Sequence, residues 1–143
     1  MPHRILIRSV LIDVPSQDHA RALAFWETAL QARARQGSTN PEYHVLDGPA
    51  SRDRVLVQDV GESAARFHID IETDDVGAEV ARLTDAGAVE VERHSFLSPW
   101  PHGRRFHAER IDHYVVMQDP VGLVFCVVPA ESEDFGEHAK TVD

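Results

Sequence analysis

Phe67-His68-Ile69-Asp70-Ile71-Glu72-Thr73 opens the second half of the chain much as Val10-Leu11-Ile12-Asp13-Val14-Pro15 opens the first. Both stretches are rich in β-branched residues, and the second alternates polar and apolar positions, the period-two pattern of a half-buried strand. A helical stretch follows each, residues 17–30 in the first half and a run ending at Gly87 in the second, and strand-like segments come after both. A period near half the chain is too long for a solenoid and suits a duplicated supersecondary module. Two copies of strand–helix–strand–strand–strand would place equivalent side chains around one shared cavity.

Working outward, the first strand spans about residues 5–14. Ser16 is a helix-capping residue type, and Ala20, Leu23, Trp26 and Leu30 recur at the spacing of one helical face. Short strands are expected at 42–46 and 54–60, separated by the turn cluster Asp47-Gly48-Pro49. In the second half a strand covers 66–72, and Asp74 is placed to cap a helix whose Val76, Val80 and Leu83 face the core. Gly87 supplies that helix's stop. A strand at 89–92 leads into a long loop over 95–109. Two final strands, 111–118 and 123–128, flank the turn Asp119-Pro120-Val121-Gly122. From Glu131 the chain becomes acidic and aperiodic, which predicts a frayed tail.

Composition bounds the function. At 143 residues and 43% hydrophobic, the chain reads as one domain over 1–130, with modules at about 4–62 and 66–129 and the tail at 131–143. A net charge of −10 argues against sequence-independent binding to nucleic-acid phosphates and slightly favours a cationic ligand. With no long apolar run, neither a signal peptide nor a membrane span is expected. The single cysteine, Cys126, excludes an internal disulfide and fits a reducing cytoplasm.

Several motifs together resemble the vicinal oxygen chelate superfamily, the glyoxalase, bleomycin-resistance and extradiol-dioxygenase group. They are Ala22-Leu23-Ala24-Phe25-Trp26, Phe67-His68-Ile69-Asp70-Ile71, and Asp74-Asp75-Val76 with Ala81-Arg82-Leu83 and Ala86-Gly87-Ala88. Asp119-Pro120-Val121-Gly122-Leu123-Val124-Phe125-Cys126 resembles the terminal hairpin of its glyoxalase-like members. The likeness covers about residues 8–129. It implies an α+β fold in which two βαβββ modules form a curved eight-stranded mixed sheet around a cup, with the helices on the outer face. That superfamily hosts unrelated chemistries, so function has to come from the site.

The resemblance implies that a metal, where present, takes side chains from the first and last strands of each module. Superposing the opening strands sets Ser9 against His68; superposing the closing strands sets Gln58 against Cys126. Metal-dependent relatives hold histidine, glutamine or glutamate there. Only His68 and Cys126 are strong ligands for a zinc-like ion, Gln58 is a weak neutral donor, and Ser9 is poor at neutral pH. No cofactor is therefore expected; a divalent metal ion on His68 with Gln58 or Cys126 is the alternative. Without metal, Ser9, Gln58, His68 and Cys126 would line a polar cavity, with His68 the one side chain titrating near neutral pH. Cys126, inside Val124-Phe125-Cys126-Val127-Val128, also reads as a small core residue.

The stretch Ser95–His107 is the second place of interest. Trp100 and Phe106 offer flat surfaces to an aromatic ligand, and Arg104 and Arg105 could meet a carboxylate or phosphate. The same loop could instead pack on a dimer partner. His94, His102, His107 and His113 match no standard zinc spacing.

The leading expectation is a small-molecule-binding protein of the ligand-sequestering or resistance kind, lacking the usual metal ligands. An enzyme is the alternative: a lyase, isomerase or dioxygenase-type catalyst with an atypical metal, or one using His68 as general base beside Gln58 and Asp70. An interaction domain with a vestigial cup is a third reading. Exposed sheet edges, together with the resemblance, predict a homodimer.

Overall fold

The computed structural model describes residues 1–49, 54–98 and 110–143. The first module runs β1 (His3–Val14), a 3₁₀ turn (Ser16–Asp18), α1 (His19–Leu30), β2 (Arg33–Gln36), β3 (Tyr43–Asp47) and β4 (Arg54–Asp59). The second runs β5 (Arg66–Thr73), α2 (Val76–Asp85), β6 (Val89–Ser98), β7 (Arg110–Gln118) and β8 (Val124–Pro129). A short helix α3 (Phe135–His138) and strand β9 (Lys140–Val142) close the chain. The element order is βαβββ twice, and the strands form one mixed sheet of nine. The fold class is α+β.

The chain divides into two compact units, Arg8–Ile69 and Met1–Ile7 with Asp70–Asp143. In the first unit the strand order is β2-β3-β4-β1, with β4 parallel to β1 and β3 antiparallel to both β2 and β4. Ile12, Val14, Leu46 and Val57 are buried on one face, and Ala22, Leu23, Trp26 and Leu30 of α1 pack against them. The expected helical stripe is there, but none of its residues is fully buried, and Ala20 is exposed. Ser16 does not cap α1. Its hydroxyl donates to Asp59 Oδ1 instead, and the residue at the helix start, Asp18, makes no side-chain cap.

In the second unit the order is β5-β8-β7-β6, with β5 parallel to β8 and β7 antiparallel to its neighbours. Val80, Ala88, Val115, Met117 and Val127 form the core, and Val76, Leu83 and Phe125 pack at its margin. The cap of α2 is Asp75, whose carboxylate accepts from Ala78 N–H at 2.9 Å. Asp74, the residue expected there, instead pairs with Arg4, accepting from its backbone N–H and from Nε. Gly87 sits at φ +108 just past the helix, a backbone conformation glycine adopts without strain.

Two expectations fail outright. Arg33–Gln36 forms a strand absent from the sequence reading; it is a sheet edge that packs only Ala34 inward, so its polar pattern gives no alternation to detect. The tail is not frayed. Phe135 is buried to 7% exposure, Arg4 lies over its ring, and β9 pairs with His3, Arg4 and Ile5 of β1. The buried Glu72 carboxylate receives the backbone N–H groups of Glu131 and Ser132 and the Ser132 hydroxyl, which anchors the start of the tail. The strand β6 also runs further than 89–92, taking in the first residues of the expected loop.

Candidate functional site: the Asp13–His68 pair

Strand alternation decides which side chains share a face. Ile12 and Val14 point to α1, so Ser9, Leu11 and Asp13 point the other way. On β4, Val57 faces α1 and therefore Leu56 and Gln58 do not. Leu11, Leu56 and Val45 form a second apolar cluster, with Tyr43 against it. The ring of Phe67 meets Trp26 of α1 at 6.2 Å, which leaves His68 on the face with Leu11.

On that apolar face sits a buried polar pair. Asp13 is 2% exposed, and its Oδ2 lies 2.7 Å from His68 Nδ1. Arg66 Nε is 3.6 Å from the same oxygen, with its side chain half in solvent. Gln58 is the Cα partner of Asp13 in the parallel β1–β4 register, and Tyr43 is the partner of Gln58 on β3. Asp13 Oδ1 is buried and has no hydrogen-bond partner among the described residues. A buried carboxylate oxygen left without a donor is rare and calls for an explanation.

A carboxylate only accepts hydrogen bonds, so its contact fixes the proton of a neutral His68 on Nδ1 and makes Nε2 the basic nitrogen. This is the base-and-orienter arrangement that acid–base sites use. The sequence reading singled out His68 but passed over Asp13, lost inside the apolar run. Its parity with Ser9 was the available signal: two residues on either side of Leu11 must share its face.

Of the other expected residues, Gln58 is brought beside Asp13. Ser9 is buried on the same face of β1, two pleats away, or about 13 Å along the strand. In its own unit, Cys126 is half-buried and in no disulfide, is the Cα partner of Asp70, and points away from α2 because Val127 points toward it. His68 and Asp70 alternate onto one face of β5. Trp100 and Arg104 lie outside the described residues.

The strand registers also correct the internal superposition. Val60 N–H donates to Val14 C=O in the first module as Ala130 N–H donates to Thr73 C=O in the second. Val14 thus corresponds to Thr73 and Val60 to Ala130, which keeps Ser9 against His68. It sets Leu56, not Gln58, against Cys126, because Leu56 pairs with Leu11 and Cys126 with Asp70. The four equivalent positions are then serine, leucine, histidine and cysteine. Of these four, only His68 and Cys126 are strong donors for a zinc-like ion.

These features define a two-module βαβββ protein with a carboxylate–imidazole pair on the sheet face away from its first helix. Residues 9–128 match the family model of the glyoxalase-like domain, and the chain belongs to that family. Similar folds occur in methylmalonyl-CoA epimerase from Mycobacterium tuberculosis, at 14% identity and TM-score 0.52, covering 89% of each chain. A glyoxalase/bleomycin resistance protein/dioxygenase superfamily member from Vibrio splendidus 12B01 matches at 14% identity and TM-score 0.53, over 87% of this chain and 98% of that one. A hypothetical protein from Bacillus halodurans C-125 matches at 11% identity and TM-score 0.56, over 90% and 96%. No curated protein matches the chain. No helix among the described residues is long and apolar enough to cross a membrane.

Proposed function

We propose that this glyoxalase-like protein binds a small organic molecule on the face that carries Asp13, Gln58 and His68, and that it does so in the cytoplasm without a catalytic metal. The observation that supports this most is Asp13 Oδ1, buried without a hydrogen-bond partner among the described residues, next to Gln58 and His68 on the face that carries Leu11, Val45 and Leu56. Apolar walls with a few fixed polar groups are what small-molecule sites consist of. A ligand bearing an N–H or O–H group, or a cation, would supply the missing donor. The acidic balance of the chain works in the same direction. A thermal-shift screen of small metabolites tests the reading: compounds that stabilise the wild type should lose that effect in His68→Ala and Asp13→Asn.

A second reading, catalysis by proton transfer, is favoured by the 2.7 Å contact alone. With Asp13 holding Nδ1–H, Nε2 of His68 would accept a proton from a bound carbon or oxygen acid. The Asp13 carboxylate would then stabilise the imidazolium until the proton is returned. Solvent deuterium exchange into a bound ligand, lost in His68→Ala, separates this reading from binding alone.

A further inference from the structure

A pair of imidazoles lies on the opposite face of the same unit. His44 has the parity of Leu46 on β3 and so points toward α1, and His19 is the first residue of α1. Their ring centroids are 4.8 Å apart at an interplanar angle of 52°. His19 Nε2 and His44 Nδ1 are both buried, and neither has a hydrogen-bond partner among the described residues. Each of the two adjacent rings thus carries one buried nitrogen without a hydrogen-bond partner among the described residues.

We propose that His19 and His44 bind a borderline divalent transition-metal ion, with zinc, nickel or copper the class that suits two imidazole ligands. An ion about 2.0–2.1 Å from one nitrogen of each ring, at a near-tetrahedral angle, sets the ring centroids about 5 Å apart. The observed spacing needs little adjustment to meet that. Charge balance is at hand as well. Glu27 acts electrostatically on His44 and Asp59 on His19. One oxygen of each carboxylate is already engaged: Glu27 Oε2 accepts from Ala34 N–H, and Asp59 Oδ1 accepts from the Ser16 hydroxyl and Gly61 N–H. The site faces away from Asp13 and His68 and does not depend on what they bind.

Titration of untagged, chelator-stripped protein with zinc chloride in a calorimeter tests the site. The expected result is saturable one-to-one binding, weakened more than about tenfold in His19→Gln and in His44→Gln, since even outer-shell changes at metal sites cost about 10–100-fold. Binding should persist in His68→Ala. If either glutamine variant is unfolded, the wild type still decides the matter. Imidazole nitrogen resonances recorded with and without zinc should move for His19 and His44. Absence of saturable binding, equal binding in both glutamine variants, loss in His68→Ala alone, or shifts confined to other histidines would each overturn the proposal.

Discussion

Asp13 and His68 lie fifty-five residues apart in sequence, yet Oδ2 of one is 2.7 Å from Nδ1 of the other on the face that also carries Leu11, Val45 and Leu56. A buried pair of this kind is coupled. Removing His68 takes away the imidazole donor to Asp13 Oδ2, and removing Asp13 takes away the acceptor at His68 Nδ1. Each of Asp13→Ala and His68→Ala should lower stability by about 1–3 kcal/mol, the range for an orphaned buried polar group. The double variant should cost less than the sum by about 1 kcal/mol or more. Urea unfolding of the four proteins reads this directly, and strict additivity would show that the contact is not made.

The buried cluster of His3, Glu79 and Arg82 predicts a pH optimum. Burial opposes charge on His3, but hydrogen bonds to the Glu79 carboxylate and the Met1 carbonyl outweigh it and raise the ring's pKa. Burial likewise opposes charge on Glu79, and its bonds with Arg82 and His3 hold it below the ordinary carboxylate value. A raised histidine stabilises fully below its unfolded value of about 6.5 and loses that contribution as pH rises through the folded value. The depressed glutamate stabilises above its unfolded value of about 4.3 and loses its contribution as pH falls through the folded one. His44, lowered chiefly by burial, acts against His3: its folded form resists protonation, so it costs stability as pH falls below about 6.5. Denaturation across pH 4–9 should therefore show the alkaline loss flattened in His3→Gln and the loss below neutrality reduced in His44→Gln.

Docking of the tail predicts a sizeable role for the thirteen residues from Glu131 to Asp143. Phe135→Ala should destabilise by about 3 kcal/mol, as truncation of a buried phenylalanine does. Ser132→Ala removes one donor to the Glu72 carboxylate and should cost about 1 kcal/mol. Thermal unfolding measures both; unchanged midpoints would mean the tail is not held.

We propose that the protein is a homodimer. Phe25 and Phe67 are 62% and 64% exposed, and both rings touch Trp26, making a surface aromatic cluster of the kind that marks interaction sites. Light scattering should give twice the chain mass at micromolar concentration. Phe25→Glu with Phe67→Glu should shift it toward the monomer.

Much of this was legible because alternation and helical spacing are strong local signals. The opening strands and both helical stripes follow from the periods of their apolar residues, and Gly87 stops α2 where its position suggests. What failed was register and polar detail. Leu56 takes the place given to Gln58 because alternation fixes a strand's face but not its register, and a slip of two residues keeps the same face while changing the partner. Asp74 and Asp75 are both competent caps, and only the pull of Arg4 decides between them. Asp13 hid in an apolar run, where its role depends on a histidine brought in from β5. The tail looked frayed because a single phenylalanine carries its burial.

Loss of ligand response at the Asp13–His68 pair is the most direct test of the account. A metabolite library screened by thermal shift against untagged wild type, with each hit repeated on His68→Ala and Asp13→Asn, provides it. The account predicts at least one small molecule that stabilises the wild type and leaves both folded variants unmoved. Hits that stabilise the variants as well as the wild type, or a library that stabilises none, would contradict it.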